Sequence, residues 1–270
     1  MILRDNDIES ALWARGRQRA LIRGLSPRLQ EFLLNSYRFG GASLSYGATV
    51  LADGPVAYFR LAETSGDAVN SILTSETGAL SAGVTRGAAP LTPDAGDKAM
   101  SFSGSTSYIG CITGNYRYDT TFTHEALIKI ASGALTVGGA SLGVLSKGQA
   151  GAYTRVTPTS TAGVGNLQFL KSRTSLLGTS IATLTEGVIY HLAVTSNAAG
   201  VSTIYINGSA SGTGTASTAL GGEGIIQIGS DYYGGVRGEY FKGVIDEVAI
   251  YNKVLSAGRI LAHAQAAGLA

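Results

Sequence analysis

From Tyr46 to the C-terminus, apolar residues come in short alternating runs separated by glycine-, serine- and threonine-rich stretches, with no helix of crossover length between them. Parallel strands need a crossover of a dozen or more residues, so strands joined this way must pair antiparallel. Candidate strands are 55–62 (PVAYFRLA), 98–103, 107–112, 122–130 (FTHEALIKI), 142–147, 152–157, 166–171, 188–195, 201–206, 225–229 and 241–251. In FTHEALIKI the alternation places Phe122, His124, Ala126, Ile128 and Ile130 on one face. Asn207-Gly208 fits a type I′ hairpin turn, and Asn197 to Gly200 sits between two further strands. With 38 glycines and only 14% charged residues, the expectation is an all-β, antiparallel two-sheet sandwich over residues 46–270. Ser256 is placed to cap a short closing helix carrying Ile260, Leu261 and Ala264.

Residues 1–45 read differently. Asn6 or Asp7 can cap a helix running to about Leu25, with Ile8, Leu12 and Ile22 on one stripe. Ser26-Pro27 opens a second, with Leu29, Phe32, Leu33 and Tyr37 on one face and an end near Gly40-Gly41. This segment holds seven arginines against four acids, and the remainder thirteen basic residues against fourteen acids. Arg15, Arg19 and Arg23 recur every fourth residue. Helices this short are marginal alone in water, so a short α-helical N-terminal arm is expected to dock on a partner. Leu12, Trp13, Leu29, Phe32 and Leu33 would supply packing, and Arg15, Arg19 and Arg23 orientation. A weakly basic arm on a neutral remainder excludes nucleic acid as the main partner, because tracking phosphates needs a dense cationic surface. Cys111 is the single cysteine, so no intrachain disulfide is expected. No stretch approaches the ~20 apolar residues of a membrane span, and the charged start does not read as a signal peptide.

The ordered set VLADGPVAYFRLAETSGDAVNS, FTHEALIKI, VLSKG, VIYHLAVTSN, IYINGS, IIQIGS and FKGVIDEVAIYNKVLSAGRILAHAQAAG, over residues 50 to 268, resembles a bacterial or phage laminin-G-like domain of the concanavalin-like superfamily. The resemblance implies a jelly-roll sandwich that binds or adheres and does not catalyse. It also implies a setting, because such domains recur in bacteriophage minor tail and other virion surface proteins. The expected protein is therefore a virion-associated structural or adhesion protein, made in the host cytoplasm without a signal peptide and present in multiple copies or as a homo-oligomer. Its arm would bind other virion structural proteins, and its sandwich would meet host-surface glycan or a partner protein. The alternative is a carbohydrate-binding accessory or degenerate hydrolase-like domain of a bacterial protein. The family's calcium loop corresponds here to Asn70–Gly78, where Asn replaces the leading Asp, Thr replaces a later one and the Gly-Asn-Gly turn is missing. Calcium favours several carboxylates, so no cofactor or metal is expected.

Glycoside hydrolysis needs two carboxyl groups converging on one face. Asp246-Glu247 is the only acidic pair in a strand, and neighbouring strand residues point to opposite faces. One is expected to bond loop backbone and the other to face solvent. Gly139 to Gly143 spells a nucleophile elbow but precedes a strand and reads as a turn. His124, His191 and His263 lack ligand spacing and read as structural. Tyr58, Tyr205 and Tyr251 read as packing residues. The binding candidates are loop tyrosines, Tyr116 and Tyr118 in one loop and Tyr232, Tyr233 and Tyr240 around another, each offering an apolar face with a polar tip.

Overall fold

A computed structural model describes residues 44–111, 121–147, 152–172, 175–215, 226–233 and 235–270. Ser45–Ala270 form one compact unit. The arm residues Leu12, Trp13, Arg15, Arg19, Arg23, Leu29, Phe32 and Leu33 lie outside the described residues, as do Tyr116 and Tyr118.

The unit starts with helix α1 (Tyr46–Ala52), which the sequence pattern did not announce. Then come β1 (Ala57–Phe59), β2 (Ala68–Val69), β3 (Thr77–Leu80), β4 (Val84–Ala88), β5 (Ala99–Ser103), β6 (Ile109–Cys111), β7 (Phe122–Ile130), β8 (Leu142–Lys147) and β9 (Tyr153–Pro158). The second half holds β10 (Val164–Ser172), β11 (Ser175–Thr185), β12 (Ile189–Ser196), β13 (Val201–Ile206), β14 (Ser209–Thr215), β15 (Ile226–Ile228), β16 (Asp231–Tyr233), β17 (Val236–Gly238), β18 (Lys242–Tyr251) and helix α2 (Ala257–Ala266). Sheet A has the order β14-β13-β12-β7-β18-β5-β4, with β1 also on β18; sheet B runs β11-β10-β9-β8-β15-β6-β3-β2; β16 and β17 form a separate hairpin. The antiparallel two-sheet sandwich is as expected.

Local chemistry explains the turns. Between β13 and β14, Asn207 and Gly208 both have positive φ, 49° and 78°, as a type I′ turn requires. Between β12 and β13, Asn197 Oδ1 accepts from the Ala199 and Val201 backbone amides. Ser256 caps α2, its Oγ accepting from Arg259 N at 3.3 Å. Ile260 and Ala264 of α2 are buried as expected, whereas Leu261 is exposed.

Two apolar layers result. Between the sheets, Phe122, Ile128, Leu192 and Ile245 of sheet A meet Val156, Leu167, Phe169 and Ile226 of sheet B. On the far side of sheet A, Tyr58, Leu127, Ala193 and Tyr251 pack against Tyr46 and Val50 of α1 and Ile260 of α2. Sheet A is therefore covered on both faces, which is why β7 is buried almost throughout rather than at alternate positions.

The approach of β18 to β7 is tight enough to test. Gly243 has φ 146°, and a Cβ there would lie 2.2 Å from the backbone oxygen of Lys129, which cannot move without breaking the ladder. Gly87 also has positive φ, with open space around it. Gly243→Ala is expected to cost about 2 kcal/mol or more, as strain and overpacking combine, and Gly87→Ala only the strain, about 1 kcal/mol. Urea denaturation midpoints measure both; equal losses would show that the β7–β18 contact is looser than described.

Candidate functional site

The far face of sheet A carries an acidic cluster that the sequence placed wrongly. β18 steps from Asp246 to Ala249 while β7 steps only from Leu127 to Glu125. The extra residue is a bulge, with Glu247 at φ 54°. As a result Asp246 and Glu247 do not point to opposite faces. Together with Asp97 they form a buried group whose carboxylate oxygens lie within 4.8 Å of one another. Nor does Glu247 face solvent: it bonds the Tyr58 hydroxyl and accepts from Arg60 Nε at 3.3 Å. The other expectation holds, since Asp246 Oδ2 accepts from the Leu91 backbone amide at 2.9 Å. Burial pushes Asp246 up to about 8 and Glu247 up to about 9, the proximity of the two carboxyls adding to the rise at Glu247. The one guanidinium here, Arg60, pairs with two of the three carboxyl groups, Asp97 and Glu247, so protons must supply the remaining compensation.

Beside this cluster, Glu125 of β7 accepts from the Tyr251 hydroxyl at 2.6 Å, His191 Nε2 at 3.0 Å and His263 Nδ1 at 2.9 Å. His263 Nε2 in turn faces Asp53 Oδ2 at 2.8 Å, and Arg259 Nε reaches the same oxygen at 2.7 Å. A histidine with a carboxylate on each ring nitrogen donates from both and is an imidazolium. Burial disfavours that charge, but Glu125 and Asp53 outweigh it and raise the His263 pKa. Burial likewise works against ionised Glu125, and the His263 charge with the histidine hydrogen bonds reverses this, holding its pKa well below the carboxylate range. Glu125, His191 and His263 are close enough for one cation to bridge, yet their facing atoms are already satisfied by one another. His124 stands apart on the inner face, stacked on Phe122, with Nε2 2.7 Å from Thr154 Oγ1. Burial pushes it down to about 3, so it is neutral.

Sheet B presents the contrasting face. Ile226 and Ile228 of β15 point into the core, so Gln227 between them points outward. The β16–β17 hairpin sets Tyr232 opposite Arg237. The Arg237 guanidinium lies 4.8 Å from the Tyr232 ring centroid and 4.2 Å from that of Tyr108, and its Nε donates to Gln227 Oε1 at 3.4 Å. On the neighbouring strands Arg155 pairs with Glu239 at 2.6 Å and donates to Gln168 Oε1 at 3.0 Å. Tyr108, Tyr232, Arg237, Arg155 and Gln168 are all half-buried, which leaves parts of them in solvent.

Of the sequence candidates, Tyr232 falls in this group. Tyr233 shares its strand, and Tyr240 is half-buried just before core residue Phe241. The loop tyrosines are thus partly a hairpin, and the residues that join Tyr232 are Tyr108, Arg237 and Gln227, which were not singled out. The alternation of Ile226-Gln227-Ile228 was the available signal for Gln227. In the stretch matching the calcium loop, Asn70 is buried and its side chain is committed internally: Oδ1 accepts from Tyr58 and Ile72 amides, and Nδ2 donates to Glu76.

A laminin G family model, described as concanavalin A-like lectin/glucanases superfamily, matches residues 103–261, more than half of the chain. No curated protein matches the sequence. Among solved structures, the chain is similar to domain 4 of AbnA, a GH43 extracellular arabinanase from Geobacillus stearothermophilus, in complex with arabinotriose (17% identity, 78% of this chain and 98% of that one, TM-score 0.55). It is also similar to the botulinum neurotoxin serotype D ligand binding domain in complex with N-acetylneuraminic acid (14% identity, 82% and 52%, TM-score 0.56). A third is the binding domain of Paraclostridial Mosquitocidal Protein 1 (14% identity, 78% and 52%, TM-score 0.58). The chain spans nearly all of the arabinanase domain and about half of each toxin domain, and at these identities the likeness is one of fold.

The sealed face predicts a pH profile. Asp246 and Glu247 keep protons that the unfolded chain releases above 3.8 and 4.5, so the stability they confer is full in acid and is lost as pH rises through about 8 and 9. His263, also raised, contributes below its unfolded value of 6.5 and loses that contribution above its folded pKa. Glu125 has the opposite sign, its contribution disappearing only in strong acid. Melting temperature is therefore expected to fall as pH rises from about 4.5 to about 9, between the unfolded and folded values of the two carboxyls, and Asp246→Asn or Glu247→Gln to flatten that fall. A wild-type profile level across the window would mean that both carboxyls are ionised in the fold.

Proposed function

Since the chain belongs to the concanavalin A-like lectin/glucanase superfamily, as its laminin-G-like motifs led us to expect, we propose that residues 45–270 are a non-catalytic glycan-binding module of a virion surface protein. The observation that carries the reading is the contrast between the two sheets. The convergent carboxyl groups Asp246 and Glu247 are fully buried, where no sugar reaches them, whereas the Tyr108–Arg237–Tyr232 stack is partly open on sheet B. Aromatic faces beside polar donors suit a sugar ring, which has apolar C–H faces and a hydroxyl rim.

The arabinanase domain holding arabinotriose and the toxin domain holding N-acetylneuraminic acid support a saccharide ligand on this fold. The arm of residues 1–45 would anchor the protein to other virion structural proteins, in several copies, with neither metal nor cofactor. The second reading, an accessory domain of a bacterial glycan-processing protein, draws on the arabinanase likeness, which covers that whole domain.

The test is a glycan panel with the full chain. Tyr108→Ala and Tyr232→Ala are each expected to weaken binding about tenfold, the scale of one lost aromatic anchor, with no release of reducing sugar. Turnover abolished by Asp246→Asn would overturn the non-catalytic reading. Particles purified with Phe32→Ala, Leu33→Ala protein should lack it; normal incorporation would remove the anchoring role of the arm.

A further inference from the structure

The group on sheet B contains donors without acceptors. Among the described residues Arg237 has its guanidinium carbon over two tyrosine rings, a single hydrogen bond, from Nε, and no ion pair with an acid. Glu239, two residues on, is already taken by Arg155 at 2.6 Å. An arginine can only donate, so Gln227 must turn its oxygen toward Nε, which fixes the orientation of the amide. Its Nε2 is then a donor on a fully buried side chain, with no partner. The half-buried Arg237 and, bonded to it, the buried Gln227 with its unpartnered Nε2 thus set donors side by side. Hydroxyls of a neutral sugar could occupy such donors singly but would leave the cation uncompensated. A carboxylate offers a planar pair of oxygens with about four acceptor sites and matches the guanidinium fork bidentately.

Taking the glycan-binding reading of this face as its premise, we propose that the ligand is an acidic glycan, its sugar carboxylate held by Arg237 and Gln227 while Tyr108 and Tyr232 flank the ring. The carboxylate displaces water from the edge of the guanidinium, and stacking on the two tyrosines keeps the fork from swinging away. Uronic and sialic acids share this chemistry, so the experiment carries both.

Binding of the full chain is measured by calorimetry to trigalacturonate, its methyl ester, sialyllactose and lactose. One of the two acids is expected to bind at least about tenfold more tightly than its uncharged counterpart, and which one does separates a polyuronide from a sialylated surface. Arg237→Lys, which keeps the charge and removes the fork, should lose about tenfold for the acid with little change for the neutral sugar. The comparison of acid with ester uses only wild-type protein and holds even if the variant melts early. If ester and acid bind equally and Tyr108→Ala weakens both, the face binds glycan and the carboxylate inference is wrong. If no sugar binds, or Tyr108→Ala changes nothing, the glycan-binding reading falls with it. Equal competition by polyglutamate would show that the patch reads charge alone, which also overturns the proposal.

Discussion

Glu125 is a fully buried carboxylate at the centre of sheet A, and the attachment of both helices depends on how its charge is met. Removing an ion from water costs several kcal/mol even after the surroundings relax. Here three side chains donate to it: Tyr251 from the next strand, His191 from the strand on the other side and His263 from α2. His263 then passes the charge on to Asp53, the C-cap of α1. One chain of hydrogen bonds therefore ties the middle of the sheet to the last helix and to the end of the first. Apolar packing supplies most of the energy, since a fully buried large side chain contributes ~1.5–3 kcal/mol and Tyr46, Val50 and Ile260 all lie in this layer. Packing alone would let α2 slide or rotate. The charged chain fixes one register, because shifting α2 by a turn would strand a buried carboxylate.

Strongly perturbed carboxyl groups tend to mark active sites, and Asp246 and Glu247 would qualify on that ground alone. Their surroundings argue for a structural origin. The perturbation comes first from burial, and that burial is the work of the bulge, which rotates Glu247 onto the same side as Asp246. Bulges are common beside functional sites, but this one opens onto Tyr58, Arg60 and the Leu91 amide. The left-handed backbone at Glu247, a cost of ~1–3 kcal/mol, is held in place by those contacts.

What was legible in the sequence followed from local rules. The alternation in FTHEALIKI gave the inner face of β7, the Asn207-Gly208 pair gave a hairpin, and Ser256 gave the start of α2, each signal lying within a few residues of its effect. Strand β11 was missed because SLLGTSIATLT mixes glycine, serine and threonine with apolar residues and lacks clean alternation. Helix α1 was missed because it is only seven residues long, too short to show a period. The bulge was invisible for a different reason: it is a property of register against β7, and Asp246-Glu247 read in isolation has the strand period. The histidines were read as structural because they lacked ligand spacing, and only the fold brings His191 and His263 to Glu125. Arg237 was not singled out, because its partners Tyr108 and Gln227 come from the approach to β6 and from β15, and only the fold brings them to it.

The asymmetry of the two sheets also bears on where a ligand can act. Sheet A spends its outer face on α1, α2 and the segment around Leu91, so its polar groups are directed at one another. Sheet B has on its outer face the short β16–β17 hairpin, whose position rests on a few specific contacts: Gly143 N donates to Glu239 O at 2.5 Å, and Arg155 holds the Glu239 side chain. A hairpin pinned at its far end by Glu239 keeps Arg237 over Gln227 without burying it completely. Had the hairpin been anchored through Arg237 itself, an acid would sit against the guanidinium and the donors would be spent. The pairing of Arg155 with Glu239 thus occupies the acid two residues from Arg237, and Arg237 keeps its contacts with Gln227, Tyr108 and Tyr232.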